Sequence, residues 1–255
     1  MIIPQTMLLH ESSLQSLIQW VYGNLHHVQD FARFFKDHAM LAPRNQDVDE
    51  LNQIALNAMM GQEIEFLSAN SVSSTSNSHD SILYTTEYLN NLNLGGGYPP
   101  HRLVLKENAS IILLQNLDPR QGLCNGTRLI CKRFHSKVIE AEVITGTNIG
   151  EMVFIPRITF MPTTLQLPFD MRRRQFPVKL AFGMTINKSQ GQTLSIMGLY
   201  LPTPVFTHGQ LYVAMSRVRS IDAVKVCIKD GGASRELYTY NIVYKEVLQM
   251  ASTRL

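Results

Sequence analysis

The chain has 255 residues, which is enough for one large domain or two smaller ones. It carries 23 lysine and arginine residues against 20 acidic residues, and the formal net charge of +3 permits nucleic-acid binding without requiring it. Its cysteines are odd in number and form no C-x-x-C pair, which argues against a zinc site and a secreted disulfide framework: Cys124, Cys131 and Cys227. The opening residues have no basic segment followed by a long apolar run, and no apolar run approaches the length of a membrane span. We therefore expect a soluble intracellular protein, nuclear if its source is eukaryotic.

The first part of the chain shows helical periodicity. Apolar residues predict two short helices between residues 12 and 36, with a break at Gly23-Asn24. A short apolar run at 39–42 predicts a strand, and the spacing over 47–57 predicts a helix. The segment 68–81 is rich in serine and asparagine, so we expect an exposed excursion there.

The middle of the chain is made of short β-type runs separated by turn residues, at 111–114, 128–131, 138–144 and 152–155. Apolar and polar residues alternate over 138–144 with the period of a half-buried strand. A small antiparallel barrel is the predicted arrangement.

From residue 176 onwards, strands and helices alternate. The predicted elements are a strand at 180–186, a helical turn, a strand at 197–201, a helix at 209–218, a strand at 223–228 and a helix near 240–250. This alternation is typical of an α/β domain with a mostly parallel sheet. We therefore expect an α/β fold class with four segments: a helical lead-in (1–35), the first part of a parallel-sheet lobe (36–98), an inserted β domain (99–175) and the remainder of the lobe (176–255).

The string TINKSQGQT, at 185–193, directly follows a predicted strand and places hydroxyl, amide and ammonium groups at the carboxyl end of a sheet. Open α/β folds bind their ligands at that end, and these groups are of the types that hold phosphate oxygens. Polar residues in such a loop are also commonly only solvated or helix-capping, and composition alone favours that interpretation.

The string GQLYVAMSR, at 209–217, has the pattern of a short amphipathic helix. Thr207 lies three residues before Gln210, which is the spacing of a capping box, and a buried apolar stripe is predicted from Leu211, Ala214, Met215 and Val218. Gln210 and Arg217 are two turns apart and are expected to share the accessible face, where Arg217 would reach a nucleotide γ-phosphate. The alternative is that Arg217 and Arg219 are ordinary surface charges near a helix C-terminus.

Taken together, AFGMTINKSQGQT (181–193) and QLYVAMSRVRS (210–220) resemble motifs V and VI of the Pif1 family of superfamily 1 DNA helicases. AMLAPRNQDVDELN (39–52) is similar to the family's motif IV region. Three further strings resemble its inserted SH3-like barrel and the return to the motor domain: GLCNGTRLI (122–130), VIEAEVITGTNIGEMVFIPRI (138–158) and RRRQFPVKLAF (172–182). The resemblance covers nearly the whole chain and implies a RecA-like second motor lobe interrupted by a small SH3-like β-barrel.

The resemblance also implies roles for individual residues. Arg217 would be the catalytic arginine finger on the γ-phosphate. Nucleotide would be contacted by Arg44, Gln190, Gly191 and Gln210. The single-stranded DNA backbone would be contacted by Thr185, Asn187, Lys188 and Ser189. Many relatives have histidine at the position of Asn187, and Gly183 replaces a common alanine without obvious consequence.

The sequence contains no G-x-x-x-x-G-K-[ST] loop and no acidic residue that closes an apolar strand. Gly95-Gly96-Gly97 is followed by Tyr98 and two prolines, and the acidic cluster 47–50 is expected to open a helix. We therefore expect ATP and Mg²⁺ to bind only together with a missing N-terminal RecA-like lobe. The expected partners are that lobe and single-stranded DNA.

The leading interpretation is the C-terminal motor half of an ATP-dependent 5′-to-3′ DNA helicase, inactive on its own. Two alternatives remain open. One is a non-catalytic module that binds single-stranded nucleic acid through the 185–193 loop and the arginine run 172–174, and the other is a degenerate fragment without function. A short basic run of this kind beside a domain junction is more often a solvated linker than a DNA contact.

Overall fold

The structure is a computed structural model that describes residues 2–9, 13–23, 25–72, 84–95, 97–162, 167–228 and 239–244. It divides into two compact units, the first made of residues 1–58 and 182–255 and the second of residues 59–181. Among the residues that the structure describes, no helix is both long and apolar enough to cross a membrane.

The helices and strands are numbered in chain order. The helices are α1 (Leu14–Tyr22), α2 (Phe31–Asp37), α3 (Asn45–Ala58), α4 (Thr86–Asn91) and α5 (Gln210–Met215). The strands are β1 (His38–Ala42), β2 (Ile64–Leu67), β3 (Ala69–Val72), β4 (Arg102–Leu105), β5 (Ser110–Leu113), β6 (Arg128–Phe134), β7 (Val138–Val143), β8 (Met152–Pro156), β9 (Ile158–Phe160), β10 (Met171–Gln175), β11 (Val178–Leu180), β12 (Gly183–Thr185), β13 (Ile196–Leu201) and β14 (Val224–Ile228).

The first unit is built on a four-stranded parallel sheet with the order β12-β1-β13-β14. Helix α1 begins where the Ser13 hydroxyl accepts a hydrogen bond from the Ser16 amide at 3.0 Å, and its apolar face is buried. The two predicted lead-in helices, the strand at 39–42 and the helix at 47–57 are confirmed as α1, α2, β1 and α3. The parallel sheet and its helices confirm the α/β class.

The predicted strand at 180–186 is wrong, because the chain changes sheets within it. Residues 178–180 form β11, which pairs antiparallel with β5 in the second unit. Residues 183–185 form β12, which pairs parallel with β1 in the first. Alternating apolar residues continue across this junction, so hydrophobic periodicity gave no sign of the change.

The last predicted helices also differ from the structure. Helix α5 is shorter than the predicted 209–218, because Gly209 adopts a left-handed conformation (φ +69°) before it and Ser216 ends it. Residues 240–244 of the predicted final helix form no regular element, and residues 245–250 lie outside the described part of the chain.

The second unit contains a five-stranded antiparallel sheet with the order β11-β5-β6-β7-β8. The predicted β runs of the middle region are confirmed in this sheet, and β7 alternates half-buried and buried residues as its pattern indicates. A three-stranded sheet, β3-β10-β9, and a two-stranded sheet, β2-β4, complete the unit. Closure of the antiparallel sheet into a barrel stays a prediction.

The second unit begins earlier than the predicted insertion at residue 99. Strand β2 pairs with β4, and β3 pairs with β10, so residues 64–72 contribute strands to this unit. Of the predicted exposed excursion at 68–81, residues 69–72 form β3 and residues 73–81 lie outside the described residues. The polar composition concealed β3, because only one face of this strand is covered.

The arginine run 172–174 lies in β10, not in a linker. Arg173 is 1% exposed and donates hydrogen bonds to the carbonyl oxygens of Leu89, Leu92 and Pro99 and to the Asn70 side chain. Burial lowers its pKa to about 10. Because this guanidinium holds other segments of the same unit, Arg173 is not an accessible DNA contact.

Candidate functional site

Strands β1 and β12 are parallel neighbours, and Ala42 is paired with Thr185 where both strands end. The segments that follow the two strands therefore emerge at the same edge of the sheet. A cleft of about 640 Å³ opens there. Its lining residues are Pro43, Arg44, Asn45, Thr185, Asn187, Lys188 and Phe206.

The chemistry of this cleft suits an anion. Arg44, Asn187 and Lys188 are exposed at its mouth, so two cations and an amide face solvent together. Among the described residues that line the cleft, none is acidic. Guanidinium, ammonium, amide and hydroxyl groups are the donors that proteins use for phosphate oxygens. The cleft therefore offers a phosphate-binding surface within the first unit alone.

The residues of the predicted 185–193 loop are divided by the structure. Residues 186–189 form a 3-10 turn, and Ser189 is fully buried with its hydroxyl donating to the Ile186 carbonyl at 2.7 Å. Gln190 and Gly191 are exposed just beyond the turn, and Gly191 has a φ of +82°, a conformation that favours glycine. Neither residue lines the cleft. Of the predicted site residues, the cleft therefore brings together Arg44, Thr185, Asn187 and Lys188.

Arg217, the predicted finger, is bound to carbonyl oxygens of its own unit. Its guanidinium donates to Val213 at 2.9 Å, to Gln192 at 3.1 Å and to Ser189 at 3.3 Å. The Arg217 carbonyl in turn accepts from the Leu194 amide at 2.8 Å. The end of the 185–193 loop is thereby tied to the end of α5, and a role at a γ-phosphate stays a prediction.

Gln210 does not share an accessible face with Arg217, because its side chain is 2% exposed. That interpretation of the helix was wrong. The capping box with Thr207 is also absent, since the Gln210 Oε1 accepts from the Phe206 amide at 3.1 Å instead. The buried Gln210 side chain therefore fixes the loop that carries Phe206, and a direct contact with nucleotide stays a prediction.

Phe206 is the cleft residue that the sequence reasoning missed. Its ring is 50% exposed, and the Arg44 guanidinium carbon lies 5.8 Å from the ring centroid. The available signal was an aromatic residue in a loop between a strand and a helix, next to the predicted nucleotide contacts.

The acidic cluster 47–50 lies at the start of α3 and does not line the cleft. Asp47 lies in the first helical turn, as the sequence indicated. Burial, and then Glu50, Cys227 and Asp47, raise the pKa of Tyr200 in β13 to about 12. No group of three or more His, Cys, Asp or Glu side chains in the described part of the chain is arranged to hold a metal ion.

Solved structures share this fold. A Bacteroides Pif1 bound to ssDNA aligns with 95% of this chain and 55% of that one, with a TM-score of 0.60 and 18% identity. The Bacteroides Pif1 helicase in complex with ADP-AlF3 and ssDNA aligns over the same shares, with a TM-score of 0.59 and 19% identity. These likenesses define the class of fold, a mixed α/β fold with a parallel sheet.

Sequence comparisons are more specific. The profile described as "DNA helicase Pif1, 2B domain" matches residues 87–134. The human ATP-dependent DNA helicase PIF1 is 36% identical over 136 residues, which are 52% of this chain and 20% of the human protein. The chain is therefore Pif1-like and homologous to Pif1 DNA helicases. It spans about a fifth of the length of the curated relatives it matches.

Proposed function

We propose that the chain acts as the second motor lobe of a Pif1-type, ATP-dependent 5′-to-3′ DNA helicase. The observation that carries this proposal is the cleft at the carboxyl edge of the parallel sheet, where Arg44, Thr185, Asn187 and Lys188 meet. These are the groups that the motif resemblance assigns to phosphate and single-stranded DNA. ATP with Mg²⁺ would bind at an interface with a lobe that carries a P-loop.

In this proposal the site residues have different roles. Arg44 and Lys188 hold phosphate oxygens, and Thr185 and Asn187 orient them by hydrogen bonding. ATP held with the P-loop lobe would supply the γ-phosphoryl group, whose transfer to water leaves ADP and phosphate and drives movement along DNA. Arg217 would neutralise charge at the γ-phosphate, a task for which it must leave the carbonyl oxygens of Ser189 and Gln192.

The second unit has a supporting place in this proposal. We assign its five-stranded antiparallel sheet to the SH3-like β insertion that the sequence resemblance implies. The matched 2B profile, at 87–134, includes β4, β5 and β6 of this unit. We assign the whole of residues 59–181 to this inserted module.

A second function is favoured by one observation: every lining residue of the cleft belongs to the first unit. A surface that is complete on this chain does not need a P-loop lobe in order to hold a phosphate backbone. The alternative is therefore a non-catalytic module that binds single-stranded nucleic acid in a salt-dependent way without ATP.

The test compares the chain alone with a fusion in which the P-loop lobe of human PIF1 precedes it. We expect negligible DNA-stimulated ATP hydrolysis by the chain alone and measurable hydrolysis by the fusion. Arg217→Ala should reduce the hydrolysis by about 10³-fold or more, which is the effect of losing an arginine finger.

Each other outcome has a definite meaning. Robust hydrolysis by the chain alone, lost on Arg217→Ala, would contradict the requirement for a second lobe. An inactive fusion whose chain still binds single-stranded DNA would favour the non-catalytic module. Absence of single-stranded DNA binding by the chain alone, even at low salt, would remove the non-catalytic module.

A further inference from the structure

Phe206 is an exposed aromatic ring beside the cations of the cleft. Half of its surface is open to solvent, and its neighbour Val205 is 2% exposed in the core of the first unit. The loop is therefore anchored by Val205 while the following ring faces outward. Exposing a ring of this size forgoes the stabilisation that burial would give.

The buried Gln210 side chain also fixes the position of the Phe206 ring, through the Phe206 backbone. The Phe206 amide donates to the Gln210 Oε1 at 3.1 Å, and this side chain is 2% exposed. The Nε2 atom of the Gln210 side chain has no hydrogen-bond partner among the described residues. A buried glutamine with one half unsatisfied is destabilising, while its other half holds the backbone at Phe206 in place. An aromatic surface held in this way loses little entropy on binding a flat ligand.

We propose that Phe206 is a stacking surface for a nucleobase whose phosphate lies against Arg44 and Lys188. This inference rests on the proposed phosphate-binding function of the cleft and adds a contact to the base. An exposed ring beside a cationic groove is the arrangement by which proteins bind single strands without sequence preference. The ligand chemistry is a nucleobase linked to phosphate, supplied either by a DNA strand or by a free nucleotide.

The decisive comparison removes bases from the ligand. Binding of the full chain to a labelled oligothymidylate is measured by fluorescence anisotropy at low salt, beside a matched oligomer with abasic central nucleotides. Phe206→Ala and Phe206→Leu should weaken binding of the intact oligomer by about 5- to 100-fold, since stacking on one ring has this value. Both variants should bind the abasic oligomer like the wild type, and Phe206→Tyr should retain binding of the intact one.

Two further variants separate the base contact from the phosphate contact. Lys188→Ala should weaken binding of both oligomers alike, because it removes a charge that faces the backbone. Tyr212→Ala is the matched control: Tyr212 is 74% exposed on α5 and does not line the cleft, so its removal should change neither affinity. Gln210→Met keeps an unbranched side chain of similar length, removes the acceptor for the Phe206 amide, and should weaken binding of the intact oligomer only.

The source of the base is distinguished by a titration with fluorescent ADP. Loss of ADP binding in Phe206→Ala, with oligomer binding unchanged, would assign the ring to a free nucleotide. Equal losses on the intact and abasic oligomers, or no loss on any ligand, would overturn the stacking role while leaving the phosphate function in place. A wild-type chain that binds none of these ligands would overturn both.

Discussion

The Asn52 side chain on α3 forms two hydrogen bonds with the backbone of Gly183. Its Oδ1 accepts from the Gly183 amide at 2.8 Å, and its Nδ2 donates to the Gly183 carbonyl at 3.3 Å. Gly183 lies in β12, which is the edge of the parallel sheet, and its partner strand β1 leaves these backbone groups unpaired. The Asn52 side chain thus makes the hydrogen bonds that a neighbouring strand would otherwise make with this edge. It also fixes the strand that ends at Thr185, on the floor of the cleft.

Replacing Asn52 with alanine should destabilise the first unit. Both Gly183 backbone groups are buried and would lose their partner, so we expect a loss of about 2–4 kcal/mol in the free energy of unfolding. Asn52→Asp keeps the acceptor but places a buried carboxylate oxygen against the Gly183 carbonyl, so it should cost at least as much. Urea unfolding followed by the fluorescence of Trp20, the single tryptophan, measures both variants in the first unit. An unchanged urea midpoint for Asn52→Ala would show that water can hydrogen-bond the Gly183 backbone groups in place of Asn52.

Gly183→Ala, which restores the residue common among relatives, should be unfavourable here. A Cβ at this position would lie 2.6 Å from Leu51 Cδ2, so the leucine must move. The expectation from sequence that this glycine has no obvious consequence stays a prediction, and this variant tests it. We expect a cost of about 1–3 kcal/mol, typical of overpacking, and recovery of most of it in the double variant Gly183→Ala, Leu51→Val. Additive effects in the double-mutant cycle would contradict the steric explanation.

The sequence predicts the parallel-sheet lobe and most of its elements, because hydrophobic periodicity is a local property. It does not predict that Asn52 serves a distant edge strand, or that the chain changes sheets between Leu180 and Gly183, because these depend on tertiary pairing. The motif strings predict Arg44, Thr185, Asn187 and Lys188 as site residues, and the structure brings these four together. The accessibility of Gln210 was misjudged, because helical spacing does not show which face a neighbouring loop covers.

Arg173 and Arg174 are adjacent in β10 and should behave in opposite ways. Arg173→Ala removes hydrogen bonds to three backbone carbonyls from a buried position, so we expect the second unit to lose about 3 kcal/mol or more. Arg174→Ala changes an exposed side chain and should alter stability by about 0.5 kcal/mol or less. Hydrogen exchange of β3 and β10 amides reads out the first effect.

The same pair tests whether the arginine run contacts DNA. A contact by Arg174 would reduce the salt dependence of single-stranded DNA binding in Arg174→Ala. An unchanged salt slope would assign no DNA contact to Arg174.

His38 should make the first unit less stable in mild acid. Burial lowers its pKa, and the effect is only partly offset by the Phe34 carbonyl, 2.9 Å from Nδ1, and by Asp37. The folded pKa lies below the unfolded value of about 6.5, so the unfolded chain binds more protons between the two values. Stability therefore rises with pH through this window and is fully present above it.

Trp20-monitored unfolding between about pH 5 and pH 8 measures this slope, and His38→Gln should flatten it. The pKa of His101 is also lowered, by burial and then by Arg173, so a slope of the same sign from the second unit is expected to remain in global measurements. An equal slope in wild type and His38→Gln would assign the acid sensitivity elsewhere.

Arg217 should hold the 185–193 loop in the absence of nucleotide. Its guanidinium reaches the carbonyl oxygens of Ser189 and Gln192, and Arg217→Ala removes both contacts. Since the side chain is only half-buried, we expect a loss of about 1–2 kcal/mol, and faster hydrogen exchange at the Gln192 amide, which donates to Ser189 at 3.0 Å. Arg219→Ala is the control, because that side chain lies nearby and is exposed. Exchange equal to wild type in Arg217→Ala would mean that the guanidinium is already released, free to act at a phosphate without first giving up these carbonyls.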